Sequence, residues 1–152
     1  MKIKLIASSI ILTLLCLLGS CDDKLEVQQA YDFSLTSWYL QKTIFPDETV
    51  EIRLTLNRSG NYEEARYQIG YIQIDGSGEV YDKKNVRLVN REMQPLDSIA
   101  ELDGSDPCRQ VFTLFYRNRS SKNAEIKFVV TDNFHQKREL DVSFQSETDT
   151  KQ

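Results

Sequence analysis

Histidine is almost missing from this 152-residue chain: His135 is the only one. A zinc site needs three or four nitrogen, sulfur or carboxylate ligands. One histidine and one spare thiol do not make a closed or a catalytic one. No serine stands in a Gly-x-Ser-x-Gly context, so a hydrolase elbow is missing too. Gly76-Ser77-Gly78 lacks the third glycine and the following helix of a dinucleotide or phosphate loop. Of three cysteines, Cys16 and Cys21 fall within the first 21 residues. That leaves Cys108 alone and excludes an intrachain disulfide in the part that follows. Basic excess is absent as well. Taking away Lys2 and Lys4 leaves 17 of the 19 basic residues against 23 acidic ones, and net charge moves from −4 to −6. A nucleic-acid binder presents a basic face to phosphates, so no direct nucleic-acid contact is expected. With no catalytic residue, cofactor or metal to assign, the chain reads as a non-enzyme.

Long apolar runs are missing too, with one exception. Leu5 to Leu18 carries no charge and follows Lys2 and Lys4. A spanning helix needs about 20 apolar residues, so this run reads as a cleaved signal peptide rather than a membrane anchor. Leu18-Gly19-Ser20-Cys21 resembles the bacterial lipobox: an aliphatic residue, two small ones that a peptidase can seat, then cysteine. The resemblance implies cleavage before Cys21, a diacylglycerol on its thiol and acylation of the freed amine. At about 0.8 kcal/mol per buried CH₂, two or three acyl chains hold a protein on a membrane permanently. Residues 1–20 are then signal, 21–29 a lipidated tether, 30–145 one domain, and 146–152 a polar tail. Asp22-Asp23 is either a sorting signal beside the lipid or solvated linker.

From Tyr31 the chain alternates with period two between turn signals. Phe33, Leu35 and Tyr39 share one register. Val50, Ile52, Leu54 and Leu56 alternate with Glu51, Arg53 and Thr55, the pattern of a half-buried strand. Tyr67 to Ile74 is a further strand, closed by Asp75-Gly76-Ser77-Gly78, whose residues tolerate positive φ. Val80-Tyr81 and Val86-Arg87-Leu88 are shorter candidates. Val111 to Tyr116 is apolar on both registers, which predicts a central strand covered on both faces. Arg117 to Asn123 is a turn. Ile126, Phe128 and Val130, then Leu140, Val142 and Phe144, complete the series. About seven short strands without helical periodicity predict an all-β, immunoglobulin-like antiparallel sandwich, with a small barrel as the other solution. Trp38 and the Tyr and Phe positions are expected to fill its core.

Four further features are candidates for chemistry, and three of them have two readings. Asp97, Glu101, Asp103 and Asp106 make an acidic loop, a calcium site by charge but a solvated loop by its irregular spacing. Asp97-Ser98-Ile99 resembles the Asp-Ser/Thr-aliphatic acceptor motif of O-glycosylated exported proteins in the Bacteroidetes, which makes Ser98 a candidate modification site. Cys108 is a reactive or interchain thiol, or a half-buried small residue at a strand start. Tyr62, Tyr67, Tyr81 and Phe134 form a stacking platform for glycan or host protein, or belong to the core.

Several stretches together resemble the TraQ family of Bacteroidetes conjugative transposon proteins. They are Gln28-Gln29-Ala30-Tyr31, Glu48 to Leu54, Tyr67-x-Ile69-x-Tyr71-Ile72-Gln73 running into Asp75-Gly76-Ser77-Gly78-Glu79, and Asp132-Asn133-Phe134-His135-Gln136. The likeness runs from about Gln28 to Phe144. Two departures stand out: His135 occupies a position where glycine is expected, and Asp97–Pro107 is longer than the family's connection. The resemblance implies an immunoglobulin-like lipoprotein that takes part in DNA transfer between cells, and it supplies no catalytic residues. The expected role is a structural or interaction component of a conjugative transfer apparatus. Its expected partners are other envelope proteins of that apparatus, with the membrane reached only through the lipid on Cys21. The expected location is the cell envelope, the outer membrane in particular, facing the periplasm or the exterior. A surface lipoprotein that binds glycan or host protein is the other functional reading. Oligomeric state is left open.

Overall fold

The computed structural model describes residues 30–147. Leu18, Gly19, Ser20 and Cys21, the tether residues 22–29, and residues 148–152 lie outside it. Among the described residues are nine strands and one helical turn. These are β1 (Phe33–Ser37), β2 (Thr43–Ile44), β3 (Thr49–Arg58), β4 (Tyr67–Asp75), β5 (Gly78–Tyr81), β6 (Gln94–Pro95), α1 (Leu96–Ile99), β7 (Arg109–Asn118), β8 (Ala124–Asp132) and β9 (Lys137–Ser146). Two of the nine, β2 and β6, are two-residue edge pieces. The other seven are the strands that the alternation predicts, Val86–Leu88 excepted. That stretch contributes only an isolated bridge from Arg87 to Tyr81.

The strands form two sheets, β1-β3-β7-β5 and β2-β9-β8-β4-β6. The first has the A-B-E-D order of an immunoglobulin constant-type domain, and β9-β8-β4 has its G-F-C order. Apart from β8–β9, each connection between described strands passes from one sheet to the other. Arg117–Asn123 is therefore a bridge between sheets rather than a hairpin tip. Alternation has a direct consequence in such a sandwich: one register of each strand meets the opposite sheet, and the other meets water. Val50, Ile52, Leu54 and Leu56 from β3 face Ile126, Phe128 and Val130 from β8 in one continuous buried cluster. Each such side chain contributes roughly 1.5–3 kcal/mol when fully buried.

Tyr116 is the largest fully buried side chain in that cluster. Its ring stacks on Phe144 of β9 with centroids 5.7 Å apart and planes 6° from parallel, and its hydroxyl accepts a hydrogen bond from Gln73 Nε2 at 3.2 Å. The crossing from β4 to β5 is made by Gly76 and Ser77 alone, and Gly76 has φ 75°. A Cβ on Gly78 would lie 2.2 Å from the Tyr116 ring and hydroxyl. The ring and the crossing therefore require glycine at both positions.

Two other turns are copies of one device. Asp82 Oδ1 accepts bonds from the N–H groups of Lys84 and Val86 at 2.8 and 2.7 Å. Asp132 Oδ1 accepts from Phe134 and Gln136 at 3.0 and 2.8 Å. The fourth residue of each turn is left-handed, Asn85 at φ 61° and His135 at φ 65°. This accounts for the glycine expected at 135, because that region favours glycine. Gln110 organises a third loop, bonding the Asp103 N–H at 2.6 Å and the Asp103 and Asp106 carbonyls at 2.7 and 2.8 Å. The side chains of Asp82, Asp132 and Gln110 are buried, and these bonds partner them as burial demands.

Four expectations are corrected. Trp38 is not core but 49% exposed, and Tyr39 is 91% exposed. β1 ends at Ser37, so the apolar register does not continue into them. β7 is central in its sheet, yet only one of its faces is covered: Val111 is 38% exposed while Leu114 and Tyr116 are fully buried. Among the described residues no layer packs over its other register. The acidic loop is not loop throughout, since α1 buries Leu96 and Ile99 at its start.

Gly78→Ala is expected to destabilise the fold by roughly 2 kcal/mol, the range of overpacking a filled core. Gly104→Ala meets nothing within 4 Å and should be neutral or stabilising by about 0.5 kcal/mol through the unfolded chain. Urea midpoints measure both, and equal effects would remove the Tyr116 ring as the reason for Gly78.

Candidate functional site

The residues singled out for chemistry do not converge. His135 lines a groove of about 540 Å³ with Arg66, Asp132 and Lys137. The Asp132 carboxylate is spent there on its own turn, its Oδ2 accepting from Gln136 Nε2 at 2.7 Å. Asp103 Oδ1 accepts from the Ser105 N–H and hydroxyl at 2.8 and 2.7 Å, bonds that hold its carboxyl below the usual range. Among the described residues no three His, Cys, Asp or Glu side chains are grouped for a metal. Cys108 is half-buried beside β7, and its carbonyl accepts the Arg58 N–H at 2.8 Å. Ser98 is exposed on α1, with its hydroxyl donating to the Pro95 carbonyl at 2.6 Å.

The four aromatic residues considered as a platform are divided. Tyr62 and Phe134 pair at 5.6 Å, and Tyr67 meets Phe33 edge-on at 5.2 Å. Tyr81 lies on the other sheet, 5.1 Å beneath the Arg117 guanidinium. A cleft of about 510 Å³ between β3, β4 and α1 holds Arg58 and Leu96. Arg58 is already bound to the Pro107 carbonyl at 2.6 Å.

What distinguishes the molecule is the difference between its two outward faces. Outside the β8–β9 pair lie Lys127, Glu139, Asp141 and Lys137. Lys127 reaches Glu139 at 2.9 Å and Asp141 at 3.8 Å, and Lys137 also pairs with Glu139. The two ammonium groups hold the Glu139 carboxyl at about 2. This is a solvated, internally paired surface.

The outer face of β1-β3-β7-β5 is built differently. Antiparallel register sets Arg53 level with Thr113, Glu51 with Phe115, and Thr55 with Val111, while Tyr81 continues the Phe115 row. Trp38 lies flat on this face. Its backbone N–H bonds the Arg53 carbonyl at 3.0 Å and its indole N–H bonds Thr55 Oγ1 at 3.1 Å. Arg53 stands over the ring at 5.5 Å. Glu51 and Arg53 pair at 3.2 Å and form a ridge between two hollows. One hollow, about 390 Å³, lies toward Trp38 and Tyr39; the other, about 360 Å³, lies toward Val111 and Phe115. Aromatic and arginine side chains on an open sheet are the composition of a protein-binding hot spot. The alternation that marks β7 as apolar on both registers already contained this face, but read it as burial.

At the β5 edge Glu79 is a hub. It accepts from Arg87 at 2.9 Å, Tyr81 at 2.9 Å and Arg119 at 3.0 Å, and Arg119 also pairs with Asp47 at 2.9 Å. The bonds from Arg87, Tyr81 and Arg119 hold the Glu79 carboxyl down at about 2. The returning chain completes the edge, with Leu88 N–H to Val80 carbonyl at 2.8 Å. This blocks strand addition there.

The family described as TraQ conjugal transfer protein matches residues 4–147. Similar solved structures include three from Bacteroides species. A conjugative transposon lipoprotein from Bacteroides eggerthii is 23% identical, with 76% of this chain and 98% of that one covered at a TM-score of 0.63. A lipoprotein from Bacteroides thetaiotaomicron is 29% identical, with 83% and 88% covered at 0.62. A conjugate transposon protein from Bacteroides vulgatus, residues 27–141, is 27% identical, with 86% and 97% covered at 0.61. A search of curated proteins gave no match.

Glu79 has a folded value of about 2 against an ordinary 4.5. A depressed carboxyl stabilises the fold above its unfolded value and loses that contribution as pH falls through the folded one. Glu79→Gln should therefore lower the urea midpoint at pH 6, and the gap to the unsubstituted protein should narrow between pH 4.5 and 2. A gap of constant size across that range would show that the hub carries no linked charge.

Proposed function

The chain belongs to the TraQ conjugal transfer protein family, and from that membership we propose an envelope-anchored lipoprotein that is a structural or interaction component of a conjugative transposon's DNA-transfer apparatus. The observation that carries this reading is a family match running through both sheets and the N-terminal segment. Two of the similar structures are lipoproteins by name and two come from conjugative transposons, and Leu18-Gly19-Ser20-Cys21 supplies the acylation signal in this chain.

The mechanism is tethering and docking. Cys21 carries the acyl chains, and residues 22–29 link it to the domain. A link of this length spans at most roughly 30 Å extended, so the domain stays close to its membrane. Confinement of this kind raises the effective concentration of each partner met there. Contact is made by the outer face of β1-β3-β7-β5, because its aromatic and arginine groups gain from burial. The ion-paired face of the other sheet faces water. The membrane is expected to be the outer one, and Ser98 is the exposed position for glycosylation.

Removal of the gene from its mobile element should lower transfer frequency at least tenfold, and an intact copy should restore it. A Cys21→Ala copy should remain unprocessed, leave the membrane fraction, fold normally and fail to restore transfer. Unchanged transfer after removal would overturn the conjugation reading; membrane retention of fully processed Cys21→Ala would overturn the anchor.

A further inference from the structure

The outer face of β1-β3-β7-β5 is complementary to itself, and we propose that it pairs with the same face of a second copy of this chain. Face-to-face pairing of identical surfaces requires a two-fold axis lying between them. Place that axis across β3 at the level of Ile52, perpendicular to the strand. Positions one step above Ile52 then meet positions one step below on the partner, within the same strand column. Glu51 of each copy meets Arg53 of the other. Within one copy the two pair at 3.2 Å with both side chains half-exposed, so the contact across the axis extends that ion pair into an alternating set of four charges.

The same operation decides the fate of the rings. Trp38 is level with Arg53, so it meets the partner's first column at the level of Glu51. That column holds the hollow of about 390 Å³ beside Tyr39. Tyr81 is level with Phe115 and Glu51, so it meets the last column at the level of Thr113. The other hollow, about 360 Å³, lies there between Thr113 and Lys83. Thr49 meets Thr55, and Arg117 meets Val111, so no like charges are set against each other in these rows. Projections oppose hollows, and a carboxylate opposes a guanidinium.

Two other occupants fit less well. A bilayer surface is disfavoured by Glu51 beside the exposed Tyr39 and by a net charge of −4 for the whole chain. A strongly charged partner finds no single sign on this face. The paired area is that of four strands about 4.8 Å apart over some seven residues, on the order of several hundred Å² per copy. That lies at the small end of specific interfaces. Confinement by lipid anchors makes such a contact persistent, so the inference rests on the anchoring part of the proposed function and not on conjugation.

Two differently tagged full-length copies are expressed in one cell and treated with a short amine-reactive cross-linker in native membranes. One tag is then recovered under denaturing conditions, and the other tag is quantified. Unsubstituted copies should cross-link. Two Glu51→Arg copies, or two Arg53→Glu copies, should lose the product at least fivefold. A Glu51→Arg copy with an Arg53→Glu copy should regain it, since each presents the charge that the other lacks. Absence of product from the unsubstituted pair overturns the proposal, as does equal product from same-charge pairs or failure of the mixed pair. Membrane fractionation of the same cells reads the anchor separately, and transfer frequency is a third independent readout.

Discussion

Tyr116 enters the core from β7 and touches three other strands. Its ring lies on Phe144 of β9 and over Gly78 of β5, and its hydroxyl receives Gln73 of β4. Both sheets are thus held at the separation set by one side chain. The crossing between β4 and β5 is short because Gly76 takes positive φ and Gly78 leaves room for the ring. Asn118 extends the same strand's influence: it is fully buried, and its Nδ2 bonds the carbonyls of Phe45 and Ser120 at 3.2 and 2.7 Å. The loop that begins β3 is fixed in this way. A rigid sheet follows, and its register sets Trp38 and Thr113 level with Arg53, and Tyr81 level with Phe115, on the outer face.

That rigidity links the fold to its use. Ordering a flexible surface on binding costs conformational entropy, and the backbone of a central strand and its neighbours is ordered before any partner arrives. The two outward faces divide the labour. One is covered by ion pairs that satisfy themselves, Lys127 and Lys137 around Glu139. The other leaves aromatic surface open beside a narrow ridge of opposite charges. In the proposed role, a position on a membrane and this open face together serve assembly.

Much of this was legible in the residues, and the exceptions share a cause. Alternation in β3, β8 and β9 located those strands and their buried registers, because each has one apolar set. Asp75 to Gly78 declared a turn through its glycines. β7 was misjudged because Val111 and Phe115 are as apolar as Leu114, and periodicity does not say whether a second layer exists to cover them. Ring size points Trp38 to the core and the Phe33–Leu35 register points Tyr39 there, although the strand that would carry them inward ends at Ser37. β2 and β6 are two residues long, too short for any period. The open face is a property of pairing register, and no local pattern encodes it. The lipobox residues, by contrast, are read from sequence alone and lie outside the described structure.

The claim that the outer face of β1-β3-β7-β5 is the covered one is open to a direct measurement. In a Cys108→Ser background that retains Cys21, single cysteines are placed at Thr113 on that face and at Ser143 on the other. Native membranes are then treated with a membrane-impermeant maleimide after the outer layer is opened. Thr113→Cys should react at least tenfold more slowly than Ser143→Cys, and the difference should vanish when the membranes are dissolved in denaturant. Equal reactivity in intact membranes would show that nothing covers the face and would contradict the assembly described.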